Sequence, residues 1–528
     1  MALDHDLIPV LQSPCGKSTA GWPYLQEHAF VRLRDWVPHI LHHGPAVLDA
    51  IERIAAADPS TADAARVVRQ VVLTAAITAP PDLWLLRGVL DGLARSGDLQ
   101  RLAEGVVVPD AELRIDLSFL LARGYLVRAG PGYRLADHSH ARGLLSLAAL
   151  EQSNHQVPAW EAALTGGAAV PMPPRVATPR EPGLWSATAD EILLGHALVP
   201  LVLAVRKTGA EALPDCAEEL LQACGATGQL RDRVLGRGPG PFGIIEAYHP
   251  YLDALPRILR EGRGAVHVSR GANVAASQDA NRKSFQRAND ALDRFCDATG
   301  FEYQVFIEHA VGRGEATRQR WERTPEGLTF FGADLEDAAI DAAMTEQAAG
   351  RLPADMRFVR NADIGRPDRI VDALAAARVS GEGAVMVVGN GFHEVRGQSD
   401  EGLVEVFRGY ERAGLLLMFT EESALSVDDL LHTAWNTYHA GFKYVHERSG
   451  QGLRPASVAP PSALDAPLPA SWTECATRAG YVRATDFSSR SRTIYPYTPA
   501  SGHNPAISVN HFFVPGRIAR ALGLQEEA

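Results

Sequence analysis

Hydrophobic residues recur every three or four positions along much of the first half of the chain. This spacing places apolar side chains on one face of a helix, and it runs through residues 28–105, most clearly at 47–54 and 83–93. A second block with the same spacing spans residues 189–224. The pattern therefore predicts that the first half of the protein is mostly α-helical.

One segment in this half combines a helix with two short strands. The helical pattern of residues 111–122 ends at a glycine, and apolar strands at 125–128 and 133–135 follow on either side of a Gly/Pro turn. This order predicts a winged helix. Its expected recognition helix carries Glu112 and Asp116, and DNA phosphates attract Lys and Arg instead, so we favour a packing module over a DNA-binding one.

The second half shows short apolar strands that alternate with amphipathic helices. The predicted strands are 303–307, 328–333, 356–360, 384–389 and 415–420, and the helices between them include 338–349, 368–377 and 401–413. Such alternation implies a mostly parallel, doubly wound sheet. Two further strands, at 480–483 and 506–514, suit an antiparallel pair that closes it. The predicted fold class is α/β, with a Rossmann-like sheet preceded by mostly α-helical domains.

Proline-rich segments suggest where the domains meet. Residues 154–186 hold six prolines and read as a linker or an extended crossing segment. We predict three parts: a helical, winged-helix domain at 1–153, a linker with a second helical, substrate-capping region at 154–296, and a Rossmann-like catalytic domain at 297–528.

Composition narrows the class of protein. The chain has 528 residues, 46% of them hydrophobic and 22% charged, with a formal net charge of −12. The charge and the absence of a long basic run argue against a nucleic-acid partner. The five cysteines form no Cys-x-x-Cys pair, and no apolar run approaches the length of a membrane span. The N-terminus lacks a signal-peptide pattern, so we expect a cytoplasmic protein.

Polar residues stand where the predicted strands end. In an open parallel sheet the ligand binds outside the carboxyl ends of the strands. A strand that feeds a glycine turn and a helix presents backbone N–H groups to a nucleotide-like ligand, and a carboxylate after the next strand suits ribose hydroxyls. The strand-end residues, in chain order, are Glu308, Gly312 and Gly314; Asp334; Asp363 and Ile364; Asn390, His393 and Glu394; and Glu421 and Glu422.

Over residues 301–514 this series resembles a class I S-adenosylmethionine-dependent methyltransferase. The resemblance implies that S-adenosyl-L-methionine is the cofactor. It places the amino-acid end at Glu308, Gly312 and Gly314, the ribose at Asp334, the adenine at Asp363 and Ile364, and Asn390 within the same site. The glycine motif departs from the common pattern because it lacks a third glycine, with Ala316 near that place. A nicotinamide-dependent enzyme is a weaker alternative, because it would not account for Asp363 or for His393 after the fourth predicted strand.

The stretch after the fourth predicted strand, 384–389, points to one group within this family. Phe392-His393-Glu394-Val395, followed by Ser399-Asp400-Glu401, is similar to the His-Asp-Trp-Ser-Asp-Glu stretch of small-molecule O-methyltransferases, although the Trp is absent and three extra residues intervene. The resemblance implies that His393 is the general base and that neighbouring carboxylates, among Glu394, Glu421 and Glu422, orient it. A histidine also suits proton removal at neutral pH on chemical grounds. Members of this family have an N-terminal dimerisation domain, which implies a homodimer.

Aromatic and imidazole groups recur at helical spacing between residues 431 and 446. They are His432, Trp435, Tyr438, His439, Phe442 and His446. The resemblance implies that this helix lines the acceptor pocket, and the alternative is an aromatic packing stripe. His439 with His393 and a strand-five glutamate could form a two-histidine, one-carboxylate metal site, with the metal unknown. Four arginines are candidates for binding an acidic substrate: Arg448, Arg454, Arg490 and Arg492.

The sequence therefore predicts an S-adenosylmethionine-dependent methyltransferase that acts on a small molecule, in specialised natural-product metabolism. Two alternatives within the enzyme class stay open: a metal-assisted C-methyltransferase of a 2-oxo acid, and a cyclase that uses the same cofactor without transferring its methyl group. A ligand-sensing regulator with a DNA-binding winged helix is less favoured because of the acidic charge balance.

Overall fold

The computed structural model describes residues 2–17, 23–36, 40–150, 156–181, 183–266, 271–395, 397–462, 464, 467–490, 497, 503 and 505–524. Within these ranges, no helix has both the length and the hydropathy needed to cross a membrane.

The first 150 residues are mostly helical, as predicted. The helices are α1 (Ala2–Leu11), α2 (Glu27–Trp36), α3 (Ile40–Ala57), α4 (Ala62–Ser96), α5 (Asp98–Glu104), α6 (Ala111–Ala122) and α7 (Ser139–Ala148). Strands β1 (Gly16–Lys17) and β2 (Pro23–Tyr24) form one antiparallel pair, and β3 (Leu126–Ala129) and β4 (Gly132–Leu135) form another. The helix, glycine and hairpin of the predicted winged helix are present, whereas the winged-helix assignment itself stays a prediction.

A second set of helices follows the proline-rich segment. They are α8 (Val157–Leu164), α9 (Ala189–Thr208), α10 (Asp215–Ala223), α11 (Gly228–Arg237), α12 (Pro239–Glu246), α13 (His249–Asp253), α14 (Leu255–Glu261) and α15 (Gly271–Thr299). Helix α9 begins with a reciprocal pair of hydrogen bonds between Thr188 and Glu191, which satisfies N–H groups that a helix start leaves open. Helix α4 packs against α3, α9 and α11 to α14, so the two helical sets share one hydrophobic core.

The second half contains the predicted doubly wound sheet. Its strands are β5 (Val305–His309), β6 (Thr329–Ala333), β7 (Arg357–Val359), β8 (Val385–Gly389), β9 (Leu416–Glu422), β10 (Tyr481–Arg483), β11 (Ser489–Arg490) and β12 (Ser508–Pro515). The order across the sheet is β10-β12-β9-β8-β5-β6-β7, with β11 beside β12. Strands β5 to β9 pair in parallel, and β12 runs antiparallel to both β9 and β10. The predicted α/β, Rossmann-like fold class is thereby confirmed.

Helices cover both faces of this sheet. They are α15, α16 (Glu315–Arg323), α17 (Asp337–Ala348), α18 (Asp368–Ala376), α19 (Asp400–Arg412), α20 (Val427–Thr433), α21 (His439–Ser449), α22 (Trp472–Arg478) and α23 (Gly516–Ala521). Successive strand residues point to opposite faces, so Ile307 lies in one hydrophobic core and Phe306 in the other. Because both faces are covered, the central strands are apolar throughout and their ends are the places left for polar groups.

The single helix face predicted for residues 431–446 is wrong. The chain forms two helices, α20 and α21, separated by a turn at residues 434–438. In this turn the Thr437 hydroxyl donates to the Thr433 carbonyl, and such local side-chain bonds compete with helix continuation. Trp435 and Tyr438 therefore do not share a continuous helix face with His446.

Helix α21 is held by the N-terminal helices. Arg448 is 1% exposed and donates to the carboxylate of Asp116 at 2.7 Å and to that of Glu112 at 2.9 Å. The Tyr444 hydroxyl donates to the other oxygen of Asp116 at 3.0 Å. The two acids of α6 are thus used inside the protein, so this helix face packs against α21 instead of facing a ligand.

The start of α21 is capped from a distant helix. Asp82 of α4 is fully buried and its carboxylate accepts a hydrogen bond from the Gly441 N–H at 2.9 Å. Burial raises the pKa of Asp82 to about 7, against the opposing effect of Arg123. A Cβ atom at Gly441 would lie 2.3 Å from the Asp82 oxygen, so the close approach requires glycine.

We predict that Gly441→Ala is strongly destabilising. The added methyl group must displace the buried carboxylate and break the cap, at a cost of about 2–4 kcal/mol. Gly236, an exposed helical glycine with no atom within 4 Å of a built Cβ, provides the matched control. We expect Gly236→Ala to be neutral or to stabilise by up to about 1 kcal/mol. Thermal unfolding of the two variants checks this, and equal midpoints would contradict the proposed contact.

Candidate functional site

The turn between β5 and α16 has the conformation of a glycine-rich ligand loop. Gly312 and Gly314 have φ values of 50° and 77°, and a Cβ at Gly314 would lie 2.7 Å from the Leu352 side chain. Ala310 also has a positive φ, 58°, which costs a non-glycine residue about 1–2 kcal/mol. The departure from a three-glycine loop therefore lies at Ala310. Ala316, which the sequence placed near the position of the absent third glycine, is a buried residue within α16.

Glu308 fixes this turn against the start of α16. Its side chain is 1% exposed, and its carboxylate accepts hydrogen bonds from the Ala316 N–H at 3.1 Å and the Thr317 N–H at 2.7 Å. Burial raises the pKa of Glu308 to about 7, although these hydrogen bonds act in the opposite direction. The structure gives Glu308 a role in holding the loop, and its contact with a cofactor stays a prediction.

The raised pKa of Glu308 makes stability pH-dependent in a defined direction. A carboxyl group whose pKa rises from 4.5 to about 7 on folding contributes stability at low pH that is lost as the pH rises through that interval. Between about pH 5.5 and pH 8.5 the loss is on the order of 2 kcal/mol. We expect the unfolding midpoint of Glu308→Gln, relative to the unaltered protein, to rise over this range. The exposed Glu302→Gln should show no such trend, and the same trend in both variants would contradict the assignment.

Two further carboxylates lie at the ends of β6 and β7. Asp334 accepts hydrogen bonds from the Gly312 N–H at 3.3 Å and the Glu336 N–H at 3.0 Å, and burial raises its pKa. The Asp363 carboxylate accepts from the Gly365 N–H at 2.8 Å. The bond between Asp334 and Gly312 ties the second strand end to the glycine turn. The strand-end positions that the sequence predicted are therefore brought to one edge of the sheet.

Leu335 is a residue that the sequence analysis missed. It follows Asp334 directly and is 45% exposed. An exposed apolar side chain beside a strand-end carboxylate offers a surface for the flat face of a ring. The sequence could have indicated it, because Leu335 is the first hydrophobic residue after Asp334, the acid that follows β6.

The end of β8 completes the crevice. Asn390 has a φ of 53°, and its N–H donates to the Thr420 carbonyl of β9 at 2.8 Å. A Cβ at Gly391 would lie 3.2 Å from Ile364 and 3.7 Å from the Cβ of Ala310, so the ends of β8, β7 and β5 meet here. The connections leave β5 and β8 towards opposite edges of the sheet, which is the switch point where α/β folds bind ligands.

These residues fit a nucleoside that carries a charged tail. The glycine turn before α16 has no side chains at Gly312 and Gly314 to hold a ligand away from the backbone, the carboxylates of Asp334 and Asp363 have further lone pairs for hydroxyl or amino groups, and Leu335 offers an apolar surface. Ile364 is 6% exposed, so it lies in the wall of the crevice and does not project into solvent.

His393 and Glu421 form a buried pair beside this crevice. The Nδ1 atom of His393 lies 2.8 Å from Oε2 of Glu421, and the side chains are 7% and 0% exposed. Oε1 of Glu421 also accepts from the Phe392 N–H at 2.5 Å and the His393 N–H at 3.4 Å. One carboxylate therefore fixes both the imidazole ring and the short turn that carries it.

This geometry prepares the other ring nitrogen for proton transfer. A carboxylate at Nδ1 keeps a proton on that atom, so the lone pair of the neutral ring lies on Nε2. The same carboxylate stabilises the imidazolium that forms when Nε2 takes a second proton. The prediction of a carboxylate partner for His393 left Glu421 and Glu422 open, and the geometry selects Glu421.

Aromatic groups from the helical part of the protein lie near His393. The ring of His446 lies 5.3 Å from that of His393, and the rings of Phe442 and Tyr248 lie 4.0 and 5.7 Å from His446. Oε1 of Glu394 lies 3.5 Å from Nε2 of His393. The site is therefore assembled from the sheet edge, helix α21 and the segment between α12 and α13.

The remaining predicted residues lie at some distance from this pair or are occupied by other contacts. Trp435 donates to the His432 carbonyl at 2.9 Å and packs on Phe30, and the ring of His439 stacks on that of Tyr438 at 5.2 Å. Arg454 is 1% exposed and bonds to Gln398 and Asp400, each at 2.5 Å, and to the Ala470 carbonyl at 2.8 Å. Their substrate-binding or catalytic roles stay predictions, as does that of half-buried Glu422. Arg492 lies outside the described residues.

The predicted combination of His393, His439 and a strand-five glutamate is not assembled as a metal site. Across the ranges that the structure describes, no three His, Cys, Asp or Glu side chains are grouped so that they could hold a metal ion.

No protein-family profile matches the sequence, and no curated protein matches it either. Among solved structures, the chain is similar to the CurJ carbon methyltransferase, with 10% identity, a TM-score of 0.40, and coverage of 91% of this chain and 100% of that one. It is also similar to the CMeT domain of the citrinin polyketide synthase, with 11% identity, a TM-score of 0.34, and coverage of 83% and 89%.

A third similar structure is the O-methyltransferase NcsB1 from neocarzinostatin biosynthesis, in complex with S-adenosylmethionine and a naphthoic acid. The identity is 13%, the TM-score is 0.32, and the match covers 59% of this chain and 87% of that one. These likenesses are too distant to assign a substrate, or a role for any residue, to this chain.

Proposed function

We propose that the protein is an S-adenosylmethionine-dependent methyltransferase that acts on a small molecule, with His393 as the general base. The observation that carries the proposal is the buried His393–Glu421 pair at the ends of β8 and β9. It lies beside a crevice in which Gly312, Gly314 and Asp334 present the groups that a nucleoside with an amino-acid tail requires. A base and a cofactor crevice at one sheet edge suit a reaction in which an acceptor loses a proton.

S-adenosylmethionine, when bound, supplies a methyl group on a positively charged sulfur. The glycine turn before α16 and the carboxylates of Asp334 and Asp363 would hold its polar parts. Nε2 of His393 takes the proton from an O–H or an activated C–H of the acceptor as the new bond to carbon forms. Glu421 offsets the positive charge that develops on the ring.

The surroundings of the base favour an acceptor that enters from the helical side. Phe442, His446 and Tyr248 are each less than 10% exposed and form a cluster of rings that adjoins His393 through His446. A largely apolar pocket with a few placed polar groups is typical of small-molecule sites. Helix α21 therefore belongs to the proposed acceptor pocket through Phe442 and His446.

No observation favours the metal-assisted reaction, the cyclase or the DNA-binding regulator over this proposal. The homodimer, the cytoplasmic location and the place in natural-product metabolism stay predictions.

The proposal is tested by offering the protein S-adenosylmethionine with two panels of acceptors, phenols and 1,3-dicarbonyl compounds, whose acidic protons match a histidine base. Mass spectrometry should find a methylated product and an equal amount of the demethylated cofactor for at least one panel. Formation of the demethylated cofactor without any methylated acceptor would contradict methyl transfer, and so would no consumption of the cofactor in either panel.

A further inference from the structure

His393 lies between two carboxylates that differ in their access to water. Glu421, at Nδ1, has a side chain that is 0% exposed, whereas Glu394, on the Nε2 side, has a side chain that is 27% exposed. A buried carboxylate fixes a ring and its charge, and a carboxylate that reaches solvent can in addition exchange protons with water. The two acids therefore suit different tasks.

Every methyl transfer leaves a proton on His393. The acceptor's O–H or C–H proton moves to Nε2, and the electron pair of that bond forms the bond to the methyl carbon. The imidazolium must lose the Nε2 proton before it can act again. Glu421 cannot take it, because that carboxylate is bonded to Nδ1 on the opposite side of the ring.

Glu394 is the carboxylate placed to receive this proton. Its Oε1 lies 3.5 Å from Nε2, just beyond an ordinary hydrogen bond, so a small rotation of the side chain brings the two atoms together. Glu394 follows His393 in the same short turn, residues 392–394, so the distance is set locally. The contact is made on the side of the ring that an acceptor would occupy, which places proton removal after the product has left.

A chain of hydrogen bonds from the helical region holds Glu394 in this position. The side-chain amide of Gln451 donates to Oε1 of Glu394 at 2.9 Å, and the hydroxyl of Tyr248 donates to Oε1 of Gln451 at 3.2 Å. Gln451 is itself fixed, since its backbone N–H donates to the His446 carbonyl at 2.9 Å. The carboxylate of Glu394 only accepts hydrogen bonds, so it selects the amide orientation in which the NH₂ group of Gln451 faces it and Oε1 faces the Tyr248 hydroxyl.

We propose that Glu394 takes the proton from Nε2 of His393 after each methyl transfer and passes it to water, with Gln451 and Tyr248 as positioning residues. This inference rests on the proposed function. It also gives the segment between α12 and α13, for which the sequence indicated only a capping region, a defined part in the reaction through Tyr248.

The contact itself is tested without any acceptor, by measuring with nitrogen-15 NMR how fast the Nε2 proton of His393 exchanges with water in the cofactor-free protein. Glu394→Gln should slow this exchange by about tenfold or more, because the carboxylate that passes the proton to water is removed. The exposed Glu405→Gln should leave the exchange rate unchanged. An unchanged exchange rate in Glu394→Gln would overturn the proposal, whether or not the protein transfers methyl groups.

The kinetic role is tested with the phenol or 1,3-dicarbonyl compound that the unaltered protein methylates fastest. Glu394→Gln should give a normal first turnover but a steady-state kcat lower by about tenfold to a hundredfold. Added imidazole should restore part of that rate, since a small base can remove the trapped proton. A first turnover that is slowed as much as the steady state, or a steady state that is not slowed, would overturn the proposal.

Tyr248→Phe distinguishes positioning from packing, because it keeps the ring beside His446 and removes only the hydroxyl. We expect a several-fold fall in steady-state kcat with an unchanged KM for the acceptor, and a partial recovery of the rate with added imidazole, as in Glu394→Gln. Tyr251→Phe, in the neighbouring ring 6.4 Å away, is the matched control. A kcat that is unchanged in Tyr248→Phe, or a fall that imidazole does not reverse, would remove Tyr248 from the proposed chain.

Discussion

Replacing His393 with alanine should lower methyl transfer by about 10²–10⁴-fold and leave cofactor binding intact. The imidazole is the proposed base, and its Nδ1 is bonded to buried Glu421, which leaves Nε2 as the atom that takes the proton. The strand-end carboxylates and the glycine turn that hold the cofactor do not depend on this ring. The measurement is the rate of product formation together with the Kd of the cofactor, determined by calorimetric titration.

The control for this variant is His5→Ala, because the His5 side chain is 87% exposed and lies in α1. We expect it to retain full turnover. If His393→Ala keeps more than about a tenth of the turnover, the assignment of the base is wrong. If it loses cofactor binding as well, His393 belongs to the cofactor site instead.

The second large effect is expected for Glu421→Gln. The amide retains one oxygen to accept hydrogen bonds from the Phe392 and His393 N–H groups, but it carries no charge to stabilise the imidazolium. The amide NH₂ group can also turn towards Nδ1, which then favours a proton on Nε2, the atom that must be free. We expect kcat to fall by about 10²–10⁴-fold, with unchanged binding of the cofactor.

A double variant separates this role from a loss of folding. The double variant His393→Ala, Glu421→Gln should be no slower than His393→Ala alone, since residues that act as a unit are not additive. Multiplicative losses would show that the two side chains act independently.

The sequence was sufficient for the parts of the site that lie next to each other in the chain or follow from one regular pattern. Alternating strands and helices predict a parallel sheet, in which the carboxyl ends of the strands share one edge. That Asp334, Asp363 and His393 lie at this edge could therefore be predicted from their positions in the sequence alone. The same regularity identified two candidate glutamates at the end of β9. The choice between Glu421 and Glu422 needed the three-dimensional structure, since it depends on which of the two side chains turns towards the loop after β8.

The sequence could not predict contacts between distant helices. The Asp82–Gly441 bond joins residues 359 positions apart, and no local pattern links them. The break between α20 and α21 was hidden by the helical spacing of residues 431–446, because that spacing continues across the turn in which Thr437 bonds to the Thr433 carbonyl. Tyr248 and Gln451 were missed for the same reason, because their importance comes only from their meeting beside Glu394.

The most direct test of the account is calorimetric titration of the protein with S-adenosylmethionine and, separately, with its demethylated product. We predict one binding site per chain for both compounds, with affinity reduced at least about tenfold in Asp334→Ala, because a carboxylate that accepts from ribose hydroxyls is removed. Glu302→Gln, at an exposed position before β5, should bind like the unaltered protein. Absence of binding to both compounds, or binding that Asp334→Ala leaves unchanged, would contradict the account.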